Sequence, residues 1–522
     1  MKLQNYVGGK WVQGEGQGAA LRNPVNGEIL AYAGSEGVDL CAALAYAREK
    51  GNPALQALSY GERAQLLERI AELLSEDREK YCQLALQNSG NTATDAAIDV
   101  DGGIGTLKYY AAVGKGLGDA HYLCEPGMDR LARDKAFQCA HILTPLTGVA
   151  IHINAFNFPA WGLWEKAAVS LLAGVPVFAK PATTTSLLTH EMVRDVIEAE
   201  IVPQGCLSLI CGGGHDLMDY VQTGDVVLFT GSADTAIKLR TQPQVIKRGV
   251  RFNTEADSLN MALLAEDVAV DSPLFEAFVK EVAKEMTVKA GQKCTAVRRI
   301  LVPAKVIDAV AEALSARLAK TIVGDPAIEG VRMGPVVNKA QQQAAWEGID
   351  MLAQEAEFVY GGDRHFAPVG GDTQNGCFVQ PTLLRCDQPF EAERVHDTEV
   401  FGPVATLIPY AGEDEIWALG ALGGGSLTGS VFSSDDEFVA RAAVRLSSSH
   451  GRLLVVDESV MASHTGHGIA MPQCVHGGPG RAGGGEELGG LRGLRIYHQR
   501  TAVQGNVERL QKLQAASVDF VN

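Results

Sequence analysis

The sequence predicts an α/β protein whose parallel sheets are covered by helices on both faces. This prediction depends on short apolar runs that alternate with amphipathic runs in the middle of the chain. Strands are predicted at 148–154, 175–179, 207–211 and 226–229, with helices at 186–200 and 233–240. Strands rich in Val, Ile and Leu, separated by helices, are typical of a buried parallel sheet. Ligands of such a sheet bind at the carboxyl ends of its strands.

A second α/β unit is predicted after the first. The apolar side chains of one helix share a single face: Phe275, Phe278, Val279, Val282 and Met286. Their spacing is that of an amphipathic helix, which we expect to end near Gly291. Cys294 follows on a loop before a strand predicted at 300–303. A cysteine on such a loop is a better candidate for chemistry than one inside an apolar run.

Composition excludes several classes of protein. The 522 residues carry a formal net charge of -17, which disfavours binding to nucleic acid. The ten cysteines contain no C-x-x-C pair, and the first twenty residues do not resemble a signal peptide. The longest apolar run, 167–179, is too short to cross a bilayer. We therefore expect a cytoplasmic protein with no membrane partner.

Four motifs carry a family resemblance. They are INAFNFPAWG (153–162), FAKPATTTS (178–186), GQKCTA (291–296) and EVFGP (399–403). In this order and at similar separations they resemble the aldehyde dehydrogenase superfamily, over nearly the whole chain. The resemblance implies the aldehyde dehydrogenase fold and oxidation of an aldehyde to an acid with a nicotinamide dinucleotide.

The resemblance assigns roles to the catalytic residues. Cys294 would attack the aldehyde, because a thiolate is a strong nucleophile. The Asn157 side-chain amide and the Cys294 backbone N–H would stabilise the oxyanion. Glu255 would activate the water that releases the thioester. Glu255 lies in NTEADS, which departs from the Glu-Leu-Gly-Gly usual in the family, and Asp257 is the alternative base.

The cofactor site is also implied by the resemblance. Lys180 would lie by the adenosine ribose, and Gly231 and Ser232 would start a helix near the pyrophosphate. Glu399 would hold the nicotinamide ribose, and Phe401 would lie along the nicotinamide.

Residue 183 bears on the choice of cofactor. NAD-preferring relatives carry a glutamate three residues after the lysine, whereas this chain has Thr183. Because a hydroxyl does not repel a 2′-phosphate, we expect NADP to be preferred, with NAD possible.

The family architecture predicts two parallel-sheet domains and a small β extension for oligomerisation. The dinucleotide-binding domain would comprise 1–130 and 144–255, and the catalytic domain 256–475. The extension would comprise 131–143 and 485–505, built from a strand pair near 131–143 and 494–504, with a tail at 506–522. We expect a homodimer or a larger homo-oligomer.

Two sequence patterns were interpreted as having no cofactor or metal role. Gly478, Gly480 and Gly483 form G-x-G-x-x-G, but no strand is predicted before them, so they resemble the C-terminal Gly-rich loop of the family. His464, His467 and His476 lack an acidic or cysteine partner at metal spacing, and no metal site is predicted.

Other functional classes remain as alternatives. A cysteine hydrolase could use Cys294 with a histidine base, but no histidine is marked by its sequence context. A non-catalytic dinucleotide-binding protein could share the fold. A CoA-acylating dehydrogenase would resolve the thioester with a thiol, and Glu255 argues against it.

The substrate prediction follows from a narrower resemblance. INAFNFPAWGLWEK (153–166), TEADSLN (254–260) and HGGPGRAGGGEELGG (476–490) resemble dehydrogenases of CoA-linked semialdehydes from bacterial degradation of aromatic rings. The expected substrate is the phenylacetate-pathway semialdehyde, and the benzoate-pathway 3,4-dehydroadipyl-CoA semialdehyde is the alternative. A separate hydrolase or hydratase would supply it, because the chain stops where a fused ring-opening domain would begin.

Overall fold

The computed structural model describes residues 1–214 and 216–520. Its strands, numbered in chain order, are β1 (Asn5–Val7), β2 (Lys10–Val12), β3 (Ala19–Arg22), β4 (Ile29–Ala33), β5 (Leu123–Cys124), β6 (Asp129–Arg130), β7 (Phe137–Pro145), β8 (Ala150–Ile153), β9 (Val177–Lys180), β10 (Leu207–Leu209), β11 (Val226–Thr230), β12 (Arg251–Glu255), β13 (Met261–Leu264), β14 (Arg299–Pro303), β15 (Glu357–Tyr360), β16 (Thr382–Arg385), β17 (Val404–Tyr410), β18 (Ser426–Phe432), β19 (His450–Val456), β20 (Val475–Gly477), β21 (Glu486–Leu488), β22 (His498–Asn506) and β23 (Val518–Asp519).

The α-helices are numbered in the same way. They are α1 (Leu40–Tyr46), α2 (Asn52–Gln56), α3 (Tyr60–Glu76), α4 (Arg78–Ser89), α5 (Ala93–Leu117), α6 (Trp161–Ala173), α7 (Ser186–Glu198), α8 (Ala233–Arg240), α9 (Pro243–Arg248), α10 (Pro273–Thr287), α11 (Ile307–Leu318), α12 (Lys339–Leu352), α13 (Arg394–Asp397), α14 (Glu413–Leu422), α15 (Asp436–Leu446) and α16 (Val507–Ala515). None of the helices in the described ranges is both long and apolar enough to span a membrane.

The first sheet has the strand order β12-β11-β8-β9-β10-β1-β2. Strands β8 to β12 run parallel, and β1 and β2 extend the edge in antiparallel fashion. The four strands predicted from sequence correspond to β8, β9, β10 and β11, and the two helices to α7 and α8. Strand β12 was not predicted, because its sequence RFNTE contains a single large apolar residue, Phe252. It ends at Glu255, so the missed strand is the one that carries the candidate base.

The second sheet has the order β15-β16-β17-β14-β13-β18-β19. All its neighbouring strands are parallel except β15, which pairs with β16 in antiparallel fashion at the edge. The predicted amphipathic helix is α10, and the strand predicted at 300–303 is β14. The two parallel sheets with their helices confirm the predicted α/β class.

A third, smaller sheet has the order β22-β7-β5-β23, with β6 paired to β7. Strands β7 and β22 pair antiparallel along their whole lengths, from His498 opposite Pro145 to Asn506 opposite Phe137. Both strands begin later than the segments predicted at 131–143 and 494–504. The predicted tail, 506–522, forms α16 and β23, and its residues 521–522 lie outside the described ones. The oligomerisation role of this sheet and the predicted domain boundaries stay predictions.

The Gly-rich loop contains a short ribbon that corrects the sequence interpretation. Strand β20 does precede G-x-G-x-x-G and pairs antiparallel with β21. It was missed because three residues are too few to give a periodic pattern. The glycines bring this loop against β12: a Cβ on Gly483 or Gly485 would lie 2.4 or 2.5 Å from the Thr254 carbonyl oxygen. The loop is thus a packing element and not a strand-turn-helix fingerprint.

Candidate active site

The loop that bears Cys294 begins with an unusual backbone turn after α10. Lys289, Ala290 and Gly291 all adopt positive φ values, of 54°, 52° and 68°. A Cβ on Gly291 would lie 2.2 Å from the Gly402 carbonyl oxygen, so glycine is required there for space as well as conformation. This turn ends the helix abruptly and brings Cys294 to the edge of a cavity.

Hydrogen bonds hold the Cys294 loop in place. The Asn260 side-chain amide donates to the Cys294 carbonyl oxygen at 2.7 Å and to that of Ala296 at 3.0 Å. The Thr295 hydroxyl donates to the Gly468 carbonyl oxygen at 2.9 Å. Asn260 is fully buried and was not predicted, since no sequence pattern distinguishes an asparagine that anchors a loop. These bonds fix the backbone around the thiol before any substrate binds.

Glu255 and His476 lie beside Cys294. The Nε2 atom of His476 is 3.4 Å from Oε1 of Glu255, and both side chains are 4% exposed. The reactive atoms of Glu255, Cys294 and His476 all lie within 4.8 Å of one another. The prediction that His476 has no acidic or cysteine partner is wrong, because Glu255, which is distant in the chain, lies beside it. A histidine next to the candidate nucleophile therefore does exist, contrary to the argument used against a cysteine hydrolase.

The electrostatics of these three groups are coupled. Burial alone would raise the pKa of Glu255, but His476, Lys166 and the Cys294 thiol lower it to about 2. Burial lowers the pKa of His476, yet the Glu255 carboxylate outweighs it and the net shift is upward. Burial and the Glu255 charge raise the pKa of Cys294 well above its usual range. At neutral pH Glu255 is therefore a carboxylate and Cys294 a neutral thiol, and the Glu255 charge favours the protonated form of His476.

A second charged cluster lies next to the first. Lys166 on α6 has its Nζ 2.8 Å from Oε1 of Glu165 and 3.0 Å from Oε2 of Glu487. Carboxylate oxygens of Glu165, Glu255 and Glu487 lie within 4.8 Å of one another. Burial lowers the pKa of Lys166, but these carboxylates outweigh it and hold the ammonium charged. No sequence pattern predicted this cluster, because Glu487 is distant from Glu165 and Lys166 in the chain.

Cys294 stands where two cavities meet. One cavity is lined mainly by apolar groups, including Phe158, Trp161 and Ala470. The other is a larger cleft lined by both polar and apolar groups, including Phe401. The residues common to both linings are Ala155, Asn157, Thr230, Glu255 and Cys294. The predicted nucleophile, oxyanion donor and base are thus brought together at the junction.

Several predicted cofactor residues line the larger cleft. Gly231, Ser232, Glu399 and Phe401 all do so. The Ser232 hydroxyl caps α8 by accepting from the Thr235 N–H at 3.3 Å. Burial raises the pKa of Glu399 to about 7, although Arg298, 3.8 Å away, opposes the shift. The polar side chains of Ser232 and Glu399 and the aromatic ring of Phe401 therefore line the same cleft.

Lys180 and Thr183 lie outside this lining. Lys180 ends β9, one strand away from β8, and burial lowers its pKa. Thr183 begins the short turn that leads into α7. Both residues follow the carboxyl end of β9 in the first sheet, and neither is among the described residues that line the two cavities at Cys294.

The alternative base, Asp257, occupies a different position from Glu255. Its Oδ1 accepts a hydrogen bond from the Ala233 N–H at 3.0 Å, at the start of α8. Asp257 lines the larger cleft only, whereas Glu255 lines both cavities. The structure therefore places Asp257 at the larger cleft and away from the smaller cavity.

The same atoms have the chemistry of metal ligands. Glu255, Cys294 and His476 supply a carboxylate, a thiol and an imidazole within 4.8 Å. His464 and His467 do not join this group. The expectation that the protein has no metal site stays a prediction.

Comparison with known proteins gives consistent matches. The aldehyde dehydrogenase family model matches residues 11–501. The 3,4-dehydroadipyl-CoA semialdehyde dehydrogenase of Aromatoleum evansii is 56% identical over 479 residues, which cover 92% of this chain and 93% of that protein. Protein MaoC of Klebsiella aerogenes is 45% identical over 175 residues, 33% of this chain and 50% of that protein. The fold matches betaine aldehyde dehydrogenase from Staphylococcus aureus in complex with NAD+, with a TM-score of 0.82, 24% identity and coverage of 97% and 95%.

Proposed function

The chain belongs to the aldehyde dehydrogenase family, and from this premise we propose that it oxidises a CoA-linked semialdehyde to the acid through Cys294. The observation that carries the proposal is the position of the Cys294 thiol at the junction of two cavities. An aldehyde in the smaller cavity and a nicotinamide in the larger one would meet over this sulfur. A hydrolase would need only the cavity for its substrate and not the cleft for a dinucleotide.

The proposed reaction uses three of the residues at the junction. The Cys294 thiol gives up its proton to solvent and its Sγ bonds to the aldehyde carbon, and the charge that develops on oxygen is stabilised by the Asn157 amide and the Cys294 N–H. A nicotinamide dinucleotide held by Glu399, Phe401 and Lys180 would supply the hydride acceptor. The thioester that remains on Cys294 is attacked by water, whose proton passes to Glu255. Sulfur then leaves, and the acid is released.

Glu255 suits the role of base better than Asp257. Its carboxylate lies beside Cys294 and borders the substrate cavity. The Asp257 carboxylate is already bonded to the Ala233 N–H. A base must reach the water near the thioester, so geometry favours Glu255.

The larger cleft fits a dinucleotide. Oε1 of Glu399 and the hydroxyl of Thr230 are buried without a hydrogen-bond partner among the described residues. Unsatisfied buried polar atoms are unfavourable, and ribose hydroxyls would satisfy the carboxylate. Phe401 offers a flat apolar surface for the nicotinamide. Glu399 and Phe401 would therefore hold the reactive end, and Lys180 the adenosine ribose.

We expect NADP to be preferred over NAD, because Thr183 offers a hydroxyl where a glutamate would repel a 2′-phosphate. Thr183→Glu should shift the ratio of kcat/KM for the two cofactors toward NAD by about tenfold or more, since an unfavourable charge contact costs over a kcal/mol. Initial rates with each cofactor measure this ratio. Thr183→Gln serves as a size control without charge. A wild-type enzyme that already favours NAD would contradict the proposal.

The substrate proposal draws on the relative from Aromatoleum evansii. Of the two substrates expected from sequence, its name favours 3,4-dehydroadipyl-CoA semialdehyde over the phenylacetate-pathway compound. Its identity of 56% extends over 92% of this chain and 93% of the relative, so the likeness is not confined to one segment.

Binding energy from the CoA portion should orient the aldehyde over Cys294. Removing the CoA is therefore expected to lower kcat as well as raise KM, with kcat/KM falling by about 100-fold or more. The expected changes in kcat and KM are checked by steady-state rates. The substrates compared are both CoA semialdehydes, the corresponding free semialdehyde and simple aliphatic aldehydes. Equal efficiency on aliphatic aldehydes would refute the CoA assignment and leave the dehydrogenase reaction intact.

We further propose a cytoplasmic homo-oligomer assembled through the third sheet. The exposed Leu131 and Phe137 at the start of the predicted extension support an assembly surface there.

A further inference from the structure

The ribbon β20–β21 carries two charged side chains into the active site. His476 and Glu487 are directly opposite each other in this antiparallel pair. Residues opposite each other in an antiparallel pair project to the same face. His476 meets Glu255, and Glu487 meets Lys166, at 3.4 and 3.0 Å. The ribbon thus supplies one new partner to each of the two charged clusters.

Three carboxylates lie close together around Glu255, so the basic groups beside them decide whether Glu255 stays ionised. The carboxylates of Glu165, Glu255 and Glu487 lie within 4.8 Å of one another. Lys166 forms salt bridges with Glu165 and Glu487. Glu255 forms no salt bridge with Lys166, and His476 is the basic side chain that contacts it among the described residues. A buried carboxylate near two others would otherwise take up a proton.

We propose that His476 is a positioning residue that keeps the Glu255 carboxylate ionised and fixed beside Cys294, so that thioester release proceeds at neutral pH. This inference rests on the proposed function, because it assumes that Glu255 is the base. His476 acts through Glu255 and makes no bond to the reacting atoms.

The contact between His476 and Glu255 predicts how the rate of thioester release depends on pH. The groups that face His476 are Glu255 on β12, Cys294 on its loop, Glu165 on α6, and more distantly Arg452 on β19. Glu255 is required as the anion, so release is lost as pH falls through its pKa. An imidazolium lowers that pKa, and its removal raises it. Loss of His476 should therefore move the acid limb of thioester release to higher pH.

The test separates hydride transfer from release. Rapid mixing with saturating aldehyde and cofactor gives a burst of reduced cofactor, followed by a steady rate set by release. His476→Phe should keep the burst and move the acid limb of the steady rate upward by at least about one pH unit, which is a tenfold loss on that limb. His476→Gln keeps a neutral N–H donor and should give a smaller shift. His450→Gln, a substitution at another buried histidine without contact to Glu255, should leave the limb unmoved.

Combination with Glu255→Gln provides a second criterion. If His476 acts through Glu255, adding His476→Phe to Glu255→Gln should slow release little further. An unmoved acid limb in a folded His476→Phe or His476→Gln enzyme would overturn the proposal. So would a loss confined to KM, which would assign His476 to the fit of the aldehyde. Absence of any burst that depends on Cys294 in the wild type would instead count against the proposed function.

Discussion

Cys294→Ala is expected to abolish formation of reduced cofactor while cofactor binding survives. In the proposed reaction this residue supplies the bond that turns the aldehyde into a hydride donor, and no second thiol among the described residues lines either cavity. We expect kcat to fall on the order of 10⁴-fold or more, since removing a covalent nucleophile leaves only binding and oxyanion stabilisation. Absorbance of the reduced cofactor measures turnover, and quenching of protein fluorescence measures binding.

The matched control for this substitution is Cys41→Ala. Cys41 is exposed and lies on α1, outside the linings of both cavities. Its replacement should leave turnover unchanged. Substantial residual turnover in Cys294→Ala would remove Cys294 from the reaction. A wild-type enzyme unaffected by alkylation of Cys294 would favour the non-catalytic alternative.

The regular part of the first sheet could be predicted from sequence because its strands are buried on both faces. Strands β8 to β11 are rich in apolar residues and read as continuous runs. Strand β12 could not be predicted in this way, because Arg251, Asn253 and Glu255 make its sequence largely polar. Its place in the sheet is decided by pairing with β11, which is a tertiary contact.

The residues of the candidate site also divide into those that sequence motifs predicted and those that only tertiary contacts reveal. Cys294, Glu255 and Asn157 were found through motifs that resemble a family, and the structure brings them to one junction. His476 and Asn260 were missed. A histidine gains its role from a carboxylate far away in the chain, and an asparagine from two carbonyl groups on a loop. Single-sequence patterns do not contain such contacts.

Glu255→Gln is expected to convert steady turnover into a single burst. The amide is nearly the same size as the carboxylate but does not take a proton from water, so the thioester persists. Hydride transfer should be affected less, because the Glu255 charge raises the pKa of the Cys294 thiol and does not help it to ionise by simple electrostatics. We expect the rate after the burst to fall on the order of 10²- to 10⁴-fold, within the range of general-base catalysis.

Asp257→Asn decides between the two carboxylates. Asparagine retains an oxygen that can accept from the Ala233 N–H, so the start of α8 should be preserved. This variant is expected to keep the rate of thioester release, because Asp257 does not line the substrate cavity. Rapid mixing gives the burst, and mass spectrometry of the quenched enzyme detects the acyl group on Cys294. A stall in Asp257→Asn, with release intact in Glu255→Gln, would reverse the two assignments, because the acyl group would then accumulate only where the true base is missing.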